Sequence, residues 1–199
     1  MNYSKITEWC HEIIKATARK EGFYIDATMG KGNDTLLLCQ LAGACGYVLA
    51  FDIQKDALSF TKKRLEAAGY LPPEVDEKTN IEDSRIRLLQ VGHEHMDQYA
   101  KEETADVICF NFGYLPGGDH AVATKAVTSI EAIEKGLKIL KHGGLMSLCI
   151  YSGGDTGFEE KERILGYLKT IPQREYTVIA NEYYNHENNP PMPVFIYRR

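Results

Sequence analysis

Short apolar runs alternate with amphipathic stretches along the 199-residue chain, and this alternation does most to restrict its fold. Strands are expected at residues 22–26 (GFYID), 46–52 (GYVLAFD), 86–90 (IRLLQ), 105–112 (ADVICFNF) and 143–150 (GGLMSLCI). Several of these runs are continuously apolar rather than alternating. That is the signature of parallel strands buried on both faces, with helices between them. Helices are expected over 4–20 (Ile6, Trp9, Cys10, Ile13, Ile14 and Thr17 near one face), 33–43, 54–68, much of 119–141, and 157–169. Residues 69–84 are polar with two prolines and read as a loop. Two late strands, near 175–182 and 193–198, flank an Asn/Pro-rich loop with no helix between them, which predicts an antiparallel addition to the sheet. The expected architecture is a Rossmann-like α/β domain spanning 1–199. It is a three-layer α/β/α sandwich around a mostly parallel seven-stranded sheet with an antiparallel C-terminal strand.

Ligands of such sheets bind outside the carboxyl ends of the strands, at the topological switch point. The first strand ends at Asp26, so the segment DATMGKGNDT (26–35) falls at that place. It lacks the GxxxxGK[ST] spacing of a phosphate loop. It also has Thr35 where a dinucleotide fingerprint carries its third glycine. An acid at Asp26 would repel a pyrophosphate but suits a cationic cofactor without phosphate. S-adenosylmethionine, with its sulfonium and ammonium groups, meets that description. Gly30 and Gly32 would let the backbone approach it closely. Asn33 and Asp34 open the next helix and join the candidate cofactor set, with helix capping as their other role. Asp52 ends the second strand about 20 residues on, where an acid accepts hydrogen bonds from ribose hydroxyls; Gln54 stands beside it. The third strand runs into His93, at a position that reaches an adenine. His93, Glu94 and His95 on one short loop are too few for a metal site, and no metal is expected.

The fourth strand ends in Asn111-Phe112-Gly113-Tyr114-Leu115-Pro116. Asn111 offers carbonyl acceptors that can hold an amino group and aim its lone pair, and Tyr114 offers a flat face for a base. Asp119 could assist loss of the amine proton.

These residues also carry a resemblance. The chain resembles the rRNA methylase family, the YtqB-like or MnmM-like S-adenosylmethionine-dependent methyltransferases, over nearly its whole length. DATMGKGNDT, AFDIQ, GHEHM, FNFGYLPGGDH, the helix after it and NHENNPPMPVFI carry the match, FNFGYLPGGD most specifically. The resemblance implies a class I methyltransferase fold with S-adenosylmethionine as cofactor. It implies a tRNA substrate, methylated on the amino group of 5-aminomethyl-uridine or its 2-thio form at the wobble position. It also implies that Asp26, Gly30, Gly32 and Asp52 hold the cofactor while Asn111 and Tyr114 face the amine. Tyr151 and Asn185 complete the candidate substrate set. The chain departs from many members at Tyr151-Ser152-Gly153-Gly154, where they have Tyr-Pro-Gly-His; Asp155 is the candidate replacement for that histidine.

Composition narrows the partners. The net charge of -5 argues against coating nucleic acid by bulk charge, though a local basic patch would suffice for RNA. Lys31, Lys161, Arg163, Arg198 and Arg199 are candidates for that patch, and Tyr183 and Tyr184 could stack on an unpaired base. A homodimer would join two modest patches into one. The five cysteines are scattered, with no CxxC pair, so neither zinc nor a disulfide framework is expected. The sequence shows no signal peptide and no apolar run of about 18 residues, so the expected compartment is the cytoplasm. The rival functions are an rRNA or small-molecule amine methyltransferase and a non-catalytic cofactor-binding module.

Overall fold

The computed structural model describes residues 5–72, 84–112, 126–151, 157–187 and 190–199. In chain order the elements are α1 (Ile6–Thr17), β1 (Phe23–Asp26), α2 (Asn33–Ala42), β2 (Tyr47–Phe51), α3 (Lys55–Ala67), β3 (Ile86–Leu89), β4 (Ala105–Phe112), α4 (Ala126–Ile139), β5 (Leu140–Ile150), α5 (Gly157–Leu168), β6 (Tyr176–Ala180) and β7 (Met192–Arg198). One 3₁₀ segment, His93–Gln98, stands where the sequence suggested only a loop. Strand β5 starts three residues earlier than expected and enters through a register shift opposite Ala105 and Val107.

The seven strands lie in the order β3-β2-β1-β4-β5-β7-β6. Strands β1 to β5 pair in parallel, and β7 runs antiparallel between β5 and β6. The expected mixed sheet is therefore present, with the antiparallel strand inserted one place in from the edge. Its order turns back between β1 and β4, which is the switch point for ligand binding.

Both faces of the sheet are buried, and this explains the unbroken apolar runs. Along β4, Val107 and Cys109 point into one core with Ile14, Leu38 and Val48. Ile108, Phe110 and Phe112 point into the other with Met96, Ile133 and Ile164. Helix α1 belongs to the first core: Cys10 and Ile14 are buried, and Trp9 meets Phe195 edge to face at 5.8 Å. Four cysteines are buried, Cys45 is exposed, and all five are free thiols. Among the described residues no helix is long and apolar enough to cross a membrane.

Candidate active site

The loop after β1 is held from four directions. Asp26 has no exposed surface. The Thr28 N–H donates to its Oδ1 at 3.1 Å and the Thr35 hydroxyl to its Oδ2 at 2.6 Å. The Met29 N–H reaches back to the Phe51 carbonyl of β2 at 2.9 Å. From α3, Thr61 Oγ1 donates to the Gly30 carbonyl at 3.2 Å and Arg64 Nε to the Lys31 carbonyl at 2.6 Å. Gly30 and Gly32 turn the chain with left-handed φ angles of 49° and 74°. A Cβ at Gly32 would stand 2.9 Å from the Thr61 side chain, so α3 and the loop meet at a distance only glycine allows.

Burial, and then the charge of Asp34, push the Asp26 carboxyl up to about 8. Asp26 is a buried partner of Thr28 and Thr35. Thr35 takes the place of a third glycine because its hydroxyl satisfies that acid.

The raised value has a definite sign. An unfolded chain releases the Asp26 proton near 3.8, whereas the folded chain keeps it to about 8. Between those limits the folded state holds the extra proton, so this group's contribution to stability is fully present at low pH and is lost as pH rises. Replacing Asp26 by Asn removes the titration and keeps hydrogen-bonding capacity. We expect the Tm of the wild type to fall more than that of Asp26→Asn between pH 5 and 8 in thermal unfolding of the ligand-free protein, at about 2–4 °C per kcal/mol. Parallel pH profiles for the two proteins would refute the assignment. Asp26→Ala should be worse at every pH, since it orphans two buried donors at about 1–3 kcal/mol each.

At the end of β2 the half-buried Asp52 accepts the Gly30 N–H on Oδ2 at 3.0 Å and the Gln54 N–H on Oδ1 at 2.9 Å. Burial raises this carboxyl, and those two N–H groups oppose the rise. Each oxygen keeps acceptor capacity for a further donor. His93 is buried, its Nδ1 lies 3.2 Å from the Ala27 carbonyl, and it meets the rings of Phe110 and Phe112 edge to face. Burial lowers its pKa, which keeps it neutral, with Nδ1–H as donor and Nε2 as acceptor. His95 is half-exposed beside Glu94, and no three His, Cys, Asp or Glu side chains gather as a metal site among the described residues.

Across the switch point, the Asn111 N–H donates to Thr28 Oγ1 at 2.7 Å. The Asn111 side-chain Nδ2 donates to Asp34 Oδ2, and His11 Nε2 lies 2.5 Å from Asp34 Oδ1. A carboxylate only accepts, so the amide branch facing Asp34 is the NH₂ and the carbonyl branch turns the other way. Tyr151 follows β5 beside Cys149, the register partner of Asn111; burial, and then Cys149, raise its hydroxyl pKa.

The structure thus brings Asp26, Gly30, Gly32, Asn33, Asp34, Asp52, Gln54, His93, Asn111 and Tyr151 to one edge of the sheet. Asn185 is exposed on the loop between β6 and β7, at the same edge. Tyr183 packs edge to face on Trp9 at 6.3 Å, while Tyr184 is 98% exposed. Tyr114, Asp119 and Asp155 lie outside the described residues. One expectation is corrected. Arg198 and Arg199 sit at the opposite edge, because β7 runs antiparallel and Arg198 pairs beyond Leu145. There Arg198 is taken up by Glu103 and the carbonyls of Lys138 and Leu140, so it is no part of a basic patch at the site. Sequence reasoning missed His11, Thr28, Thr35, Thr61 and Arg64. Only Thr35 carried a signal, as the residue displacing a glycine.

The model of the family described as "Putative rRNA methylase" matches residues 48–197, three quarters of the chain. The chain belongs to that family. The chain is also similar to proteins known by sequence and by structure. This methylase is 33% identical to the chloroplastic tRNA (mnm(5)s(2)U34)-methyltransferase of Arabidopsis thaliana, over 98% of this chain and 70% of that one. It superposes with TM-score 0.88 on a putative rRNA-methylase from Clostridium thermocellum, at 37% identity and with both chains fully covered. With SMU.1697c, a putative methyltransferase from Streptococcus mutans solved in complex with SAH, the TM-score is 0.83 at 32% identity, over 98% of each chain. This methylase is an S-adenosylmethionine-dependent enzyme of the class I fold. Its own residues fit the cofactor: a glycine turn that no Cβ could enter, and the Asp52 carboxylate pinned by two backbone N–H groups with acceptor capacity to spare.

Proposed function

We propose that this enzyme, acting in the cytoplasm as one domain over 1–199, methylates an amino group on RNA: the aminomethyl group of a modified wobble uridine in tRNA. The observation that carries the reading is the anchored Asn111 amide at the switch point, together with the similarity of nearly the whole chain to a tRNA wobble-uridine methyltransferase. In this reading Asp52 accepts the ribose hydroxyls and Gly30 and Gly32 admit the cofactor backbone. Asn33 and Gln54 flank it, and His93 offers Nε2 toward the base. Asp26 supports the loop from beneath. When bound, S-adenosylmethionine supplies an electrophilic methyl group on a sulfonium.

The chain's task is then to bind and orient. An amine nucleophile needs a fixed lone-pair direction more than a strong base. The Asn111 side-chain carbonyl accepts an amine N–H and sets that direction. Tyr114 gives the uridine a face to stack on, and Asp119 receives the proton the amine gives up. Tyr151, Asn185 and the exposed Tyr184 border the approach, and Lys31 supplies positive charge on the cofactor loop. Stacking of an unpaired base on an aromatic ring contributes about 1–3 kcal/mol. Tyr184→Ala should therefore raise KM for tRNA about tenfold and leave kcat nearly unchanged, as steady-state kinetics would show.

The decisive test incubates the protein with methyl-labelled S-adenosylmethionine and total RNA from cells lacking the activity. The labelled fraction is then digested and its nucleoside identified by mass. Label on 5-methylaminomethyl-uridine or its 2-thio form in tRNA is the expected result. Label in rRNA would move the substrate and keep the chemistry. No label in any RNA would sink the proposal.

A further inference from the structure

Helix α1 precedes the first strand of the sheet and lies outside the 48–197 segment matched by the family model, as does Asp34. It nevertheless reaches the site. His11 Nε2 stands 2.5 Å from Asp34 Oδ1, and the other oxygen of that carboxylate takes the Asn111 amide. The two side chains are largely withdrawn from solvent, with 22% of His11 and 12% of Asp34 exposed. A small cavity lined by Thr7, Cys10, Asp34, Asn111, Ser147 and Cys149 lies beneath the arrangement.

We propose that His11 is a positioning residue for methyl transfer, acting through Asp34 to hold the Asn111 amide in one of its two orientations. This rests on the reading that Asn111 meets the substrate amine. The physical need is specific. The terminal torsions of Asn and Asp are broad and roughly two-fold, so an amide without a fixed partner presents its NH₂ as readily as its carbonyl. An amine substrate brings N–H donors; a flipped Asn111 would oppose donor to donor. Asp34 removes the ambiguity because it can only accept. Its own carboxylate would be free to rotate were one oxygen not held, and His11 Nε2–H holds it. The Asn111 backbone is fixed separately by Thr28, so the clamp governs the side chain alone. Nor is His11 needed to dock α1, because Cys10 and Ile14 bury that helix against the sheet and Trp9 packs on Phe195.

The test compares wild type, His11→Ala and His11→Gln, the last placing an N–H donor near the original Nε2. Four quantities are measured: kcat on tRNA at saturating cofactor, the Kd for S-adenosylhomocysteine, Tm, and the side-chain amide resonance of Asn111 in the S-adenosylhomocysteine-bound protein, assigned by its loss in Asn111→Asp. His11→Ala should lower kcat about 10- to 100-fold, with Kd changed less than about threefold, and His11→Gln should recover most of the rate. The Asn111 amide signal should shift or broaden in His11→Ala and return in His11→Gln. An unchanged rate with an unmoved signal overturns the clamp. So does a rate loss that tracks Kd or Tm, or one that glutamine fails to repair. Should the wild type methylate no RNA at all, the substrate reading fails instead, and the amide resonance alone decides the clamp.

Discussion

Asn111→Ala should lower kcat by about two orders of magnitude while the Kd for the cofactor stays within a few fold. The residue sits at the carboxyl end of β4, its N–H on Thr28 and its amide on Asp34. Truncation removes the carbonyl proposed to orient the amine but none of the groups around Asp52. Asn111→Asp keeps a carbonyl oxygen of similar shape and should fare no better. It sets a second carboxylate against Asp34, and like charges in contact drive one of them out or protonate it. Single-turnover rates with pre-bound cofactor, set beside calorimetric titration, give the two quantities. Equal loss of affinity and rate in Asn111→Ala would move this residue from the transfer step to the cofactor pocket.

Asp52→Ala is expected to show the opposite pattern: cofactor Kd raised on the order of 10²-fold, with kcat largely kept at saturation. Two hydrogen bonds to a charged acceptor, at about 1.5 kcal/mol each, account for that magnitude. A further cost comes from the Gly30 and Gln54 N–H groups, which lose their acceptor and with it the shape of both loops. Asp52→Asn spares one acceptor oxygen but turns an NH₂ toward a backbone N–H, so it should recover little. Titration with S-adenosylhomocysteine reads the effect without needing the RNA. An Asp52→Ala protein that binds the cofactor normally would remove the acid from the pocket.

The sheet was legible because its strands are apolar on both faces. That pattern marks GYVLAFD and ADVICFNF as buried parallel strands wherever they lie in the sequence. The antiparallel strand was legible from the missing helix between residues 180 and 192. Its insertion between β5 and β6 was not, since no local pattern distinguishes an edge from the next place in. Asp52, Gly30, Gly32 and Asn111 could be singled out because each sits at a strand end or in a turn that limits residue choice, and the structure places them at one edge of the sheet. His11 could not be found so. It lies on the polar flank of an amphipathic helix, 23 positions before its partner, where a histidine ordinarily faces water. Asp26 was read as facing the cofactor, and its hydrogen bonds to Thr28 and Thr35 were not legible. A carboxyl at the end of a buried strand faces either a ligand or its own loop, and only the Thr35 hydroxyl nine residues on decides which.

The placement of β7 bears on how the chain assembles during synthesis. A ribosome delivers β5 and β6 before β7, yet β7 is the strand that joins them. Until residues 192–198 emerge, β5 presents a long apolar edge with unpaired N–H and C=O groups, which is a template for pairing with another nascent chain. The join closes contacts between residues about 45 positions apart, and such closures are slow. The loop bearing Tyr183, Tyr184 and Asn185 takes its place at the site's edge only when that strand zips in. The proposed cofactor pocket, built from β1, β2 and their loops, can thus form while the proposed substrate approach is still incomplete. A ligand that binds the pocket early would steady the half-built sheet through its most aggregation-prone interval.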